Sequence, residues 1–216
     1  MDYLSLTQAY LLCTLNEKGR YSSMDLEKGI CLVAGSILEL LMDGVLRLDE
    51  KRISTALPLP AEKEYLRTVY ERVRRKEPEK LESVMEYFSF NFSDKNLYAL
   101  LGTIGDSLAA AGCAEKGEGG LLRKTPVYLP DAKAKDRVIQ QMRAELLEDG
   151  ALSEDIVALT VLLQKCGELS RYFSAYEKKD LKARLKSIKN SSENQLVTKM
   201  VEYIENLFAL VIIAAT

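Results

Sequence analysis

Four cysteines and a complete absence of histidine bound the chemistry open to this chain. Without histidine there is no Ser-His-Asp or Cys-His nucleophile pair, no imidazole general base and no histidine-ligated metal. Cys13, Cys31, Cys113 and Cys166 lie far apart in sequence and none forms a C-x-x-C pair, so the spacing of a zinc site is missing. Each sits among apolar neighbours, where a free thiol behaves as a small hydrophobe. Four in 216 residues is too sparse for a disulfide scaffold, and a reducing compartment is expected. Acids gather at Asp149-Gly150 and Ser153-Glu154-Asp155, but their spacing fits no calcium loop. Acids at a helix start are explained by the helix dipole. Gly102, Gly105 and Gly112 follow neither a dinucleotide fingerprint nor a P-loop, and helical glycines of this kind mark close packing or a kink. No nucleophile has a base beside it in the sequence. No catalytic residue, metal ligand or cofactor is therefore assigned.

Two basic runs remain. The first is Arg67, Arg72, Arg74, Arg75, Lys76 and Lys80, and the second is Lys178, Lys179, Lys182, Arg184, Lys186 and Lys189. Both are interleaved with acids such as Glu64, Glu71, Glu77 and Asp180, the pattern of a solvated helix face laced with i,i+4 pairs. The functional alternative is a surface for anionic lipid headgroups, where each basic side chain contributes about 1 kcal/mol. Arg67, Arg74, Arg75, Lys178 and Lys182 are the candidates for it. Over the whole chain 30 Lys+Arg face 32 Asp+Glu, a net charge of −2 with a pI near 5.5. There is no global basic field, and no nucleic-acid partner is expected.

The elements that carry these groups are helical almost throughout. At 216 residues and 47% hydrophobic composition the chain is long enough to bury about 70% of its unfolded surface without staples. Ser5 and Gln8 have the spacing of a capping box before Leu11, Leu12 and Leu15, with a glycine stop at Gly19. A second helix over about 25–43 is apolar around much of its circumference and should be buried. Val45–Asp49 and Arg52–Ser54 alternate as a short strand pair. Helices are expected over about 61–75, 81–90, 95–111, 132–149, 153–170, 177–187 and 193–214. A small hairpin follows the Gly117-Glu118-Gly119-Gly120 cluster and ends at Pro130. The N-terminal third thus has the order of a winged helix, but the stretch 29–38 presents almost no donors to DNA. The N-terminus lacks the basic and apolar regions of a signal peptide. The apolar run Leu207–Ala215 is about half of what a bilayer span requires. One mostly α domain over 1–216 is the simplest account.

Several stretches together resemble the Golgi phosphoprotein 3 family. They are Leu4-Ser5-Leu6-Thr7, Gly19-Arg20-Tyr21-Ser22-Ser23, Ala34-Gly35-Ser36-Ile37-Leu38-Glu39-Leu40 and Val45-Leu46-Arg47-Leu48. Lys116-Gly117, Thr125-Pro126-Val127-Tyr128-Leu129-Pro130-Asp131, Val157–Leu163 and Val211–Ala215 continue the match in order along essentially the whole chain. The resemblance implies a mainly α single domain built round a buried central helix, with a small winged-helix-like N-terminal unit and a protruding β-hairpin. It also implies a non-enzymatic peripheral membrane or adaptor protein, cytoplasmic or peripheral to a membrane, since eukaryotic relatives bind phosphatidylinositol 4-phosphate and the cytosolic tails of glycosyltransferases. In those relatives an aromatic and three arginines frame the headgroup. Here the matching positions hold Met24 or Asp25, Val33, Gly102 and Gly105, none of which offers a charge-assisted donor. Losing several such contacts, each about 1.5–3 kcal/mol, removes a site of that design. The family's phosphoinositide site is thus expected not to be retained, as in a divergent bacterial-type member. An anionic membrane surface or phosphoinositide-like headgroup remains the implied partner. The alternative is a self-associating interaction module, with Leu121, Leu122, Val127, Tyr128 and Leu129 of the hairpin as the homo-oligomer contact.

Overall fold

In the computed structural model, which describes residues 4–19, 26–89, 95–119, 125–148 and 152–190, helix α1 spans Leu6–Thr14. The capping box forms as the spacing requires. The Gln8 backbone N–H donates to Ser5 Oγ at 3.4 Å, and the Ser5 backbone N–H donates to Gln8 Oε1 at 3.1 Å. Every residue of α1 except Gln8 is buried. Helix α2, Leu26–Met42, is buried without a break from Gly29 to Leu40, so its apolar circumference is covered on all sides. Strands β1 (Leu46–Asp49) and β2 (Arg52–Thr55) pair antiparallel, with Leu48 opposite Ile53. A third strand, β3 (Glu79–Lys80), pairs with β2 and completes the winged-helix-like unit. Its two residues are too few for any alternation to mark them in sequence.

The helix expected over 61–75 is two elements. A 3-10 turn covers Ala61–Leu66, with Lys63 off helical geometry, and α3 covers Arg67–Arg74. The tighter turn brings Lys63 and Tyr65 to the buried Glu39. Lys63 Nζ lies 2.7 Å and Tyr65 Oη 2.5 Å from Glu39 Oε1, and the Thr7 backbone N–H donates to Glu39 Oε2 at 2.8 Å. Helices α4 (Leu81–Ser89) and α5 (Lys95–Ala110) follow. The hairpin consists of β4 (Ala114–Gly119) and β5 (Thr125–Pro130), in register from Ala114 opposite Pro130 to Gly119 opposite Thr125. Helix α6, Ala132–Leu147, is N-capped by Asp131.

Helix α7, Glu154–Lys165, is N-capped by Ser153 and buried from Ile156 to Leu163. It stops short of the expected Ser170 because Gly167 adopts a φ of +76°, and a 3-10 turn then covers Leu169–Tyr172. Helix α8 spans Glu177–Asn190. The architecture is mainly α. One contiguous apolar cluster joins α1, α2, α5 and α7, so the expected central helix shares its place with α2. Among the described residues no helix is long and apolar enough to cross a membrane. The expected helix over 193–214, the apolar Leu207–Ala215 run, Met24, Asp25, Leu121, Leu122, Asp149 and Gly150 lie outside the described residues.

Candidate functional site

The two basic runs, alike in sequence, differ in what holds them. On α8 the side chains of Lys178, Lys179, Lys182 and Lys186 are exposed, and no ion pair with a described residue holds any of them. Their spacing places all four within an arc of roughly 100°. Leu181, on another face, is buried, and α8 packs on α6. The acid that opens the helix is already committed. Glu177 accepts from Arg143, from the Ser174 backbone N–H at 2.8 Å and is held below the ordinary carboxyl range by those Ser174 bonds. Only Asp180 offsets the lysines within the helix.

On α3 Arg67, Arg72 and Arg74 are paired. Arg67 forms a two-pronged bridge to Glu64 and also faces Glu71 at 3.8 Å. Arg74 faces Glu71 at 3.6 Å. Arg72 is clasped by both oxygens of Glu79 and lies 4.7 Å from the centre of the Tyr87 ring. Arg75 is exposed. Arg67, Arg72 and Arg75 line a groove of about 280 Å³ between α3, α4 and α5, together with Glu71, Tyr87 and Asn96. Asn96 donates to the Tyr87 backbone carbonyl at 2.9 Å. Glu64, Glu71 and Glu79 are the carboxylates that meet these arginines. α3 packs on the 61–66 turn, β2, α2 and α5, whereas α8 packs on α6.

The hairpin residues divide. Tyr128 is 1% exposed and Val127 is buried, while Leu129 is 38% exposed. Tyr128 lies against α5. Its hydroxyl donates to Asp106 Oδ1 at 2.7 Å and lies 3.0 Å from the Gly102 carbonyl oxygen. Lys116 of β4 reaches the same Asp106 oxygen at 2.6 Å. A Cβ on Gly105 would come 2.4 Å from the Tyr128 ring. Gly19, expected as the α1 stop, serves the hairpin instead, since α1 already ends at Thr14. Its φ is +66°, its carbonyl accepts from the Tyr128 N–H at 3.0 Å, and a Cβ there would meet the Tyr128 backbone at 2.6 Å. The sequence signal for this lock was the pair of helical glycines, which marked close packing without naming the partner.

Val33 is fully buried in α2. A second recess of about 320 Å³ lies between α1, α6 and α7 and includes Glu145, Ser153 and Asp155 among apolar walls. Ser153 Oγ donates to Glu145 Oε2 at 2.7 Å and accepts from the Ile156 N–H, so this serine and carboxylate are occupied in capping α7. Burial holds Asp155 above the ordinary carboxyl range. Among the described residues no group of acids and cysteines has the arrangement of a metal site.

A mainly α body is wrapped on two buried helices, with a three-stranded wing and a hairpin locked to α5, and α8 presents four unpaired lysines in one arc. The sequence model of the family described as Golgi phosphoprotein 3 (GPP34) matches residues 6–206, nearly the whole chain, and the protein belongs to that family. No curated protein matches the chain in sequence.

Proposed function

We propose that this protein is a non-enzymatic peripheral membrane protein that docks electrostatically on anionic headgroups through the lysine face of α8. The observation that carries it is the set of four exposed lysines in one arc with no ion-pair partner among the described residues. A paired arginine has already spent much of its field on its own carboxylate, while an unpaired lysine near an anionic surface contributes about 1 kcal/mol. Arg67, Arg74 and Arg75 of α3 form a weaker second contact. The family's phosphoinositide design is not used here. The positions that the resemblance matches to its arginines hold Val33, buried in α2, and Gly102 and Gly105, which face Tyr128.

Flotation with neutral, phosphatidylglycerol-rich and phosphatidylinositol 4-phosphate vesicles tests this. Binding to every anionic vesicle at low salt, lost at high salt, is expected. The Lys178→Glu/Lys182→Glu variant should weaken anionic binding by about thirtyfold or more, two lysine contributions. Arg67→Glu/Arg75→Glu should weaken it much less. Selectivity for the phosphoinositide alone would overturn generic docking, and absence of flotation would overturn the lipid role in favour of a protein partner. Self-association through the hairpin is the second reading. Leu129 supports it, because it remains exposed beside the buried Tyr128. A monomer at high concentration would remove it.

A further inference from the structure

Tyr176 is 82% exposed, and among the described residues the next most exposed large apolar side chain, Leu57, is 55% exposed. A single exposed apolar side chain needs no explanation on most surfaces. This ring, however, stands at the start of the lysine face. Its neighbours fix its position. The Glu177 N–H donates to Ser174 Oγ at 3.3 Å and the Ser174 N–H donates to Glu177 Oε2 at 2.8 Å, a reciprocal pair of the capping-box kind. The Lys178 N–H donates to the Ser174 carbonyl at 3.1 Å and the Lys179 N–H to the Tyr176 carbonyl at 3.2 Å. Tyr176 therefore already follows the repeat of α8. The two aromatics before it turn the other way. Phe173 is buried beside the Arg143 guanidinium, and the Tyr172 hydroxyl donates to the Cys13 carbonyl. They tie this turn to the body and leave Tyr176 outside. Along the helical repeat Tyr176 lies about 140° from the buried Leu181 and about 60° from Lys179, at one edge of the lysine arc. The exposed Ala183, about 20° away, is too small to cover the ring. Asp180 stands on the far flank.

We propose that Tyr176 is an interfacial anchor. When the lysines of α8 dock on an anionic bilayer, its ring enters the boundary between headgroups and acyl chains, and its hydroxyl stays among the headgroups. This rests on the docking reading above and adds to it a part that charge does not supply. Tyrosine suits such a boundary, because it presents an apolar body and a polar tip. Attachment at an interface scales with the apolar area buried plus the attraction to anionic lipid. The lysines therefore set how steeply binding falls with salt, and the ring multiplies the affinity by a factor that salt does not screen. One ring buries too little area to hold the protein by itself. Neutral vesicles and high salt still leave it in solution.

The chain has no tryptophan, so Tyr176→Trp in the full-length protein places a single reporter at this position. With phosphatidylglycerol-rich vesicles at low salt its emission should shift to the blue and acrylamide should quench it less. Neutral phosphatidylcholine vesicles should change neither. Tyr176→Ala should weaken binding to the anionic vesicles about five- to tenfold, the worth of roughly 50 Å² of apolar ring surface that no longer leaves water. Its fall of affinity with salt should keep the slope of the unmutated protein, whereas Lys178→Glu/Lys182→Glu should flatten that slope. Tyr176→Phe should restore binding, and the melting midpoint of Tyr176→Ala should be unchanged. Equal binding by Tyr176→Ala and the unmutated protein, with no blue shift at position 176, would overturn the anchor and leave electrostatic docking standing. Failure of the unmutated protein to float would overturn both. A lowered melting midpoint in Tyr176→Ala would overturn the anchor too, because the ring would then be packed on the protein's own chain.

Discussion

Tyr128 joins the hairpin to the helical body, and the residues around it have no slack. Gly105→Ala adds a methyl group 2.4 Å from the ring, and overpacking of that kind costs about 1–3 kcal/mol despite the better helix propensity of alanine. A lower urea midpoint is expected. Tyr128→Phe keeps the ring and loses the Asp106 bond, a loss of about 1 kcal/mol. Asp106 makes this docking pH-dependent. Burial pushes its carboxyl up, but the bonds to Lys116 and Tyr128 outweigh that and hold it below the ordinary 3.8. A carboxyl lowered on folding contributes stability that is present above its ordinary value and is lost as pH falls through the folded value. Amide exchange at Tyr128 should therefore quicken below about pH 4 relative to its intrinsic rate, and Asp106→Asn should remove that dependence. Tyr128 was legible as a hairpin residue. Its inward direction was not, because alternation along five residues does not say which side carries a helix.

At the scale of elements, the Ser5 cap was readable because it is local, and the structure adds two more of the same kind. Ser5, Asp131 and Ser153 each sit one residue before a helix and accept from a backbone N–H three residues on. Ser5→Ala should cost about 1–2 kcal/mol, seen as a lower melting midpoint, since the hydroxyl also accepts from Tyr65 at 2.8 Å. Glu39→Ala should cost more, about 3–5 kcal/mol, because it removes the buried acceptor of the Thr7 N–H and of Tyr65 and one of the two carboxylates on Lys63. The turn at 61–66 escaped the periodicity for the same reason. Its apolar positions fit an α-helix, and only the pull of Glu39 from α2 sets Lys63 aside. The basic runs show the complementary limit. Spacing placed Arg67 and Arg74 beside glutamates of their own helix, but the pairing of Arg72 with Glu79 depends on β3, and that of Arg143 with Glu177 on the packing of α6 against α8.

For the whole molecule, the balance of charge sets how the proposed docking depends on salt. With a net charge of −2 the chain has no overall attraction to an anionic surface, so binding rests on local lysines and should fall steeply with salt. Raising the salt from low to about 0.5 M should abolish flotation while leaving the melting midpoint little changed.

The sequence by itself determined the helical class, most of the element order, the α1 cap, the buried α2 and, through the resemblance, the family with its buried α7, since these follow from local periodicity and from residue order along the chain. It also put histidine chemistry out of reach. Tertiary structure decided which lysines stay unpaired and what fills the space before Gly105. Each of these is a contact between elements distant in sequence, and a contact depends on how helices turn and pack against one another, which no local pattern records.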